Sequence, residues 1–404
     1  MKLGNRDTFY SIIICAITIG PSINYFLNEI IQFVLGGRSI SSFIYIVLAI
    51  MGIMAYPLLF KKPRNSRVEV TIIFTSIVLL LSALIHPSLW KLIISDDFNP
   101  LKSVGLFLFF FGFPLMILCG KHKEWDLLLR YLFYFSIIDI VLAALVYFYV
   151  MIPVGTDAVS YMSFSYSQLF PGAVCAVYGY RNKRIIPIII SLFSLLLIFL
   201  GGARGSLGCM LLLYALLFLN KFSLKKVGIL LIVTIVVLYV GPRLLGGFLS
   251  SSQRLVDDMG GFSRTLYLIS EGDFLVSKGR DNINVIIEEA ISNNPIGYGL
   301  LGDRYVLSQH GNTGYAHNIV LEFLCDFGWI IGFALLVALF IMIIRVLLKQ
   351  KKSPLFYCYI AMLPAGFIML FMSGSFLEEF VFWALLGVLY NASYRRGVAQ
   401  CSSY

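Results

Sequence analysis

The sequence predicts an all-α integral membrane protein, and three observations predict it. Of its 404 residues, 59% are hydrophobic and only 13% are charged, with a mean hydropathy of +0.88, far from the make-up of soluble domains. Apolar stretches recur along the whole chain, each near the roughly 20 residues that a helix needs to cross hydrocarbon. No train of alternating segments of about ten residues is present, which a membrane barrel would require.

Twelve transmembrane helices are expected, at 9–33, 40–60, 68–86, 101–119, 126–150, 162–180, 185–201, 206–220, 227–245, 327–348, 355–374 and 376–392. The first is too long for a signal-peptide core and lacks a small-x-small cleavage site, so a retained signal anchor is expected, kinked at Gly20-Pro21. Basic residues set the orientation. With both termini cytoplasmic, 20 of the 31 Lys and Arg fall inside and 10 outside, with Arg130 at a helix start; five of the outer ten share one long loop. The net charge of +10 follows from this topology and from attraction to anionic headgroups, so the expected partners include membrane lipid and no nucleic acid. The seven cysteines form no C-x-x-C pair, and neither a disulfide framework nor a zinc site is expected.

Residues 1–245 are read as spans one to nine, 246–316 as an outer, partly helical loop domain, and 317–404 as the last three spans with a short cytoplasmic tail. Within the loop, "DNINVIIEEAISNN" carries apolar residues at 283, 286, 287, 290 and 291 and stops before Pro295, which is the spacing and ending of an amphipathic helix. "GYGLLG", 297–302, matches the letters of a dinucleotide fingerprint without its strand, its following helix or its distal acid. The reading favoured is a compact turn that only glycine permits.

Two polar features stand at the outer surface. "GGARGS", 201–206, holds Arg204 in a tight hairpin, where a cation serves either as a snorkelling headgroup contact or as a bidentate anion grip. "GYAHNIVLEF", 314–323, places His317 at or just before a helix start, where the dipole disfavours imidazolium. A neutral ring there suits a general base or simply a cap. Asn318, Glu322 and Asp326 are spaced by four and share one stripe of that helix. His86, His122 and His310 have no metal-ligand spacing, no D-x-D occurs on the outer side, and Asp139 is an isolated intramembrane acid.

Together, "GGARGS", "KGRDNI", "NPIGYGLLGDR" and "AHNIVLEFLCDFGWIIG" resemble the O-antigen ligase and polymerase superfamily of bacterial membrane glycosyltransferases, most closely the Wzy-type repeat-unit polymerases. The resemblance implies a GT-C-like enzyme on the outer face of the inner membrane. Such enzymes move a growing glycan from undecaprenyl diphosphate onto the next undecaprenyl-diphosphate-linked repeat unit, with inversion and with no metal or cofactor. It also implies a chain-length regulator as partner. Ligases of the same superfamily transfer to the lipid A core instead, and a lipid-linked oligosaccharide flippase is the non-enzymatic alternative. Carried over by motif, Arg204 and Arg280 are expected to stabilise the departing diphosphate and His317 to deprotonate or position the acceptor hydroxyl. Arg304, Asn318 and Glu322 are expected as substrate contacts. Arg280 followed by Asp281 also reads as an ion pair at a helix start, and Glu322 also reads as the partner of a loop arginine. Where the superfamily commonly has serine before the hairpin arginine, this chain has Ala203.

Overall fold

The computed structural model describes residues 3–35, 41–61, 66–86, 100–151, 160–219, 281–312, 314–349 and 353–401. Fourteen α-helices fill them, in chain order α1 (Leu3–Leu35), α2 (Ser41–Ile53), α3 (Ser66–Ile85), α4 (Pro100–Phe107), α5 (Phe113–Lys121), α6 (Trp125–Val146), α7 (Tyr161–Asn182), α8 (Ile185–Gly201), α9 (Arg204–Leu219), α10 (Asp281–Asn293), α11 (Gly302–Gln309), α12 (Ile319–Lys349), α13 (Pro354–Leu363) and α14 (Phe380–Cys401). A π turn at Leu108–Gly112 joins α4 to α5. No strand occurs among the described residues.

Seven helical stretches are long and apolar enough to cross a membrane: Arg6–Val34, Ser41–Leu58, Ser66–Ile85, Ser103–Lys121, Trp125–Met151, Ile319–Leu348 and Pro354–Phe371. Each coincides with an expected span, and helical form lets a segment pair its own backbone groups, as hydrocarbon demands. Three shorter apolar helices, Ile185–Gly201, Arg204–Phe218 and Phe380–Ser393, together with α7, match four more. The expected span at 227–245 and the loop from 246 to 280 lie outside the described residues. The amphipathic helix read from the sequence is α10, ending at Asn293.

The chain divides into two compact units, one of residues 1–18, 46–128 and 277–404, the other of 19–45 and 129–276. In the second, α7 and α8 pack tightly because small residues line their contact: a Cβ on Gly172 would lie 2.6 Å from Ser194 Oγ. Ser191 Oγ donates to the Gly172 carbonyl (2.7 Å) and Ser194 Oγ to that of Gln168 (3.0 Å). Asp139, buried on α6, is held by the Gln168 amide at 2.8 Å.

In the first unit, α5 lies against α14, where a Cβ on Gly387 would come within 2.6 Å of the Met116 carbonyl. Asn391 Nδ2 donates to the carbonyls of Cys119 (3.2 Å), Gly120 (3.0 Å) and His122 (2.9 Å), closing the C-terminus of α5. Lys121 Nζ donates to the carbonyls of Leu58, Leu59 and Lys61. Just past the C-terminus of α3, His86 Nε2 donates to the Tyr298 carbonyl, and its ring stacks on Tyr305 of α11 at 4.2 Å between centroids.

The sequence reading missed one feature of α12: the helix breaks at Gly328, whose φ of 74° and ψ of 176° are outside the helical region. The loop before α11 docks into the break. Tyr298 N–H donates to the Cys325 carbonyl (2.8 Å), Gly299 N–H to that of Asp326 (2.8 Å) and Trp329 N–H to that of Pro295 (2.9 Å). Gly297 makes this approach feasible: at φ 91° its added Cβ would sit 2.4 Å from the Gly328 amide nitrogen. Gly297→Ala should therefore destabilise the protein by more than about 2 kcal/mol, since left-handed strain and a backbone clash add. A melting curve in detergent indistinguishable from the parent's would show that the docking is looser than described.

Candidate functional site

The part of the first unit built from α10, α11 and the start of α12 has its own small core. Ile287, Ala290 and Ile291 of α10 meet Val306 and Leu307 of α11, with Ala316, Leu324 and Cys325 completing the cluster. Burial of this apolar face fixes α11 beside the first turns of α12. Asp326, buried on α12, then accepts the amides at the start of α11, Leu301 N–H at 3.3 Å and Asp303 N–H at 3.2 Å. Its two carboxyl oxygens thereby satisfy two donors that have no intrahelical partner.

Arg304 lies directly after this turn, and its side chain is only 3% exposed. Its guanidinium faces Asp303 Oδ1 at 3.4 Å, Glu322 Oε1 at 3.5 Å and Glu378 Oε2 at 3.3 Å, and donates to Ser375 Oγ at 3.2 Å. Ser375 in turn donates to Glu322, whose second oxygen accepts the Phe376 amide at 3.3 Å. One planar cation thus joins α11, α12 and the 372–379 loop, a task suited to the fixed fork of arginine. Burial by itself works against the charge, but the carboxylates of Asp303, Glu322, Glu378 and Asp326 outweigh it and hold the guanidinium above its usual range. In the same loop, burial pushes Glu379 up to about 7, opposed by the Val381 amide that donates to it.

His317 stands between this cluster and α12. On one side, Ala316 N–H donates to Asp303 Oδ2 at 2.9 Å. On the other, Asn318 Oδ1 accepts the Val320 amide at 2.9 Å and its carbonyl accepts Glu322 N–H at 2.9 Å, so Asn318 caps the helix. Between these two anchors His317 adopts a φ of 54°, a left-handed conformation that a histidine keeps only where its surroundings over-determine it. Tyr315 bridges ring and cation: its centroid lies 4.1 Å from that of His317 and 5.4 Å from Arg304 Cζ.

Arg204 belongs to the second unit and opens α9. Gly202, at φ 89°, ends α8 by returning its N–H to the Ile198 carbonyl, and Ser165 of α7 fixes the residue after it. The Ser165 Oγ accepts Ala203 N–H at 3.4 Å and donates to the Ile198 carbonyl at 3.3 Å. With Ala203 in the hairpin, a hydroxyl from the neighbouring helix holds its backbone. A guanidinium at the first helical position repels the dipole, so an anion there would relieve two positive ends at once.

Residues 189–337 match the family model of O-antigen ligase. The matched segment covers less than half of the chain, running from α8 into α12, and it contains Arg204, Arg280, Arg304, His317, Asn318 and Glu322. No curated protein and no solved structure gives a significant match. Of the residues singled out in the sequence, the structure brings Arg304 and Glu322 into contact and places His317 and Asn318 beside them, while Arg280 lies outside the described residues. Pairing of Glu322 with a loop arginine, one of its two readings, is what the O-antigen ligase-like segment displays. Ser375 and Glu378 were missed. They lie beyond the matched segment, Ser375 71 positions after Arg304, and no periodic pattern in "SGSFLEE" marks them.

Proposed function

We propose that this chain is a membrane glycosyltransferase that takes its glycan from a polyprenyl-diphosphate carrier, with repeat-unit polymerisation as the favoured reaction and ligation to a lipid A core as the second. The similarity of residues 189–337 to O-antigen ligase carries the reading, because every proposed catalytic residue falls inside that segment. In the proposed reaction an acceptor hydroxyl attacks the anomeric carbon, the bond from that carbon to the diphosphate oxygen breaks, and the hydroxyl proton passes to His317. Arg204 and Arg280 neutralise the charge that grows on the departing diphosphate. Asn318 sets the start of α12, and Arg304 with Glu322 acts as positioning machinery for the His317 turn. The proposed frame is a twelve-span, GT-C-like bundle with this site on the outer side. Two groups of contacts support that sidedness: 86, 298–305 and 375–378 meet one another, as do 58–61 and 119–122 with 391. In each group the segments are ones that the basic-residue rule assigns to a common side.

The test supplies purified protein with synthetic lipid-linked repeat units. A ladder of products is expected, and it should be lost in Arg204→Ala while the variant inserts and melts like the parent. A single transfer to lipid A core would establish the ligase, whereas unchanged substrate with movement of lipid-linked glycan across vesicles would establish the flippase. Arg204→Lys should recover little if the contact is a bidentate one. A full ladder from Arg204→Ala would remove this arginine from the diphosphate site.

A further inference from the structure

A second basic feature lies at the other end of the first unit. A cavity of about 120 Å³ is lined by Arg67, Arg345, Val346, Ala392 and Ser393. These residues come from three helices and share one level. Arg67 is the second residue of α3, Arg345 stands four residues before the end of α12, and Ser393 closes the apolar part of α14. All three positions are span ends on the side that the basic-residue rule assigns to the cytoplasm. The cavity has an apolar floor, with Val346 4% and Ala392 3% exposed, under two exposed guanidinium groups. No carboxylate is among its described lining residues.

The site is held in shape from within the bundle. Thr71 Oγ1 donates to the Arg67 carbonyl one turn back (2.9 Å) and so accepts from the Tyr390 hydroxyl (2.7 Å), which ties the first turn of α3 to α14. Ser393 Oγ donates to the Leu389 carbonyl at 3.0 Å. Two arginines at span ends, over apolar side chains, match a phosphate whose remaining bulk is hydrocarbon. Guanidinium binds phosphate oxygens bidentately, and cations at this depth gain from an anionic leaflet.

We propose that this cavity binds the phosphate of an anionic phospholipid headgroup, and that the bound lipid joins α3, α12 and α14 on the face opposite the candidate catalytic site. The claim does not depend on the transferase reading, since its readout is stability and not turnover.

The experiment compares melting of the full-length protein in neutral detergent with added phosphatidylglycerol, phosphatidylcholine or inorganic phosphate. Phosphatidylglycerol alone is expected to raise the melting temperature by several degrees, by mass action on the folded state. The shift should vanish in Arg67→Gln/Arg345→Gln and persist in Arg130→Gln, which removes an exposed arginine elsewhere. A weaker shift is expected in Arg67→Lys/Arg345→Lys, which keeps the charge and loses the fork. Native mass spectrometry should show one tightly held phosphatidylglycerol on the parent and none on the double Gln variant, a comparison that stands even if that variant melts early. An unchanged phosphatidylglycerol shift in the double Gln variant would overturn the site. An equal shift from inorganic phosphate would overturn the lipid as its occupant.

Discussion

Arg304→Met should destabilise the folded protein by about 3–5 kcal/mol, the usual cost of stripping a buried ion cluster of one sign. The side chain is nearly inaccessible and its removal leaves Asp303 and Glu322, both 0% exposed, facing each other without a cation. Ser375 Oγ would also lose the guanidinium as a donor and keep only the Leu377 N–H among its described donors. The loss should appear as a lower melting temperature and a broadened size-exclusion peak in detergent. Adding Glu322→Gln to Arg304→Met should restore part of the loss, because the two residues share partners and their effects cannot add independently. Arg304→Lys should fall between, since a single ammonium cannot serve α11, α12 and the 372–379 loop together. If Arg304→Met melts with the parent, the cluster is not the element joining these three segments.

His317 should separate stability from activity. His317→Gly should fold at least as well as the parent, because glycine takes a φ of 54° without the Cβ penalty. Its glycan transfer should nevertheless fall by about 10²–10⁴-fold, the contribution typical of a lost general base. His317→Gln retains a polar side chain of similar reach without comparable basicity and should lose a like amount. A His317→Gly protein that is both more stable and fully active would reduce His317 to a turn residue and leave the proton without a named acceptor. These outcomes are read by melting and by product ladders from one preparation, so misfolding and lost chemistry are told apart.

The membrane helices were legible because hydrophobic length is a local property, and α10 was legible because its apolar residues repeat at helical spacing. Two glycines of "GYGLLG", Gly297 and Gly299, make the turn that was expected of them, at φ 91° and 85°, but Gly302 opens α11, so a helix does follow the motif where the sequence reading expected none. Their docking partner was hidden, since the Gly328 break lies inside an unbroken apolar run and hydropathy carries no information on backbone angles. The candidate site divided in the same way. His317, Asn318 and Glu322 were visible from their place at a helix start. Their link to Ser375 and Glu378 depends on a long-range contact, and a single sequence shows no distance between segments. Ser165 was invisible for the same reason: its hydroxyl serves a hairpin over 30 positions away.

The break at Gly328 also divides the labour of α12. Residues 329–349 amount to roughly 31 Å of helix at 1.5 Å per residue, enough by themselves for the hydrocarbon thickness. The stretch from Ile319 to Phe327 is free of that duty and is anchored instead by the amides of residues 298 and 299. Immersion depth and the azimuth at which Glu322 presents its carboxyl group are therefore adjustable one without the other, so evolution could retune the surroundings of Glu322 while the membrane-spanning part stayed fixed.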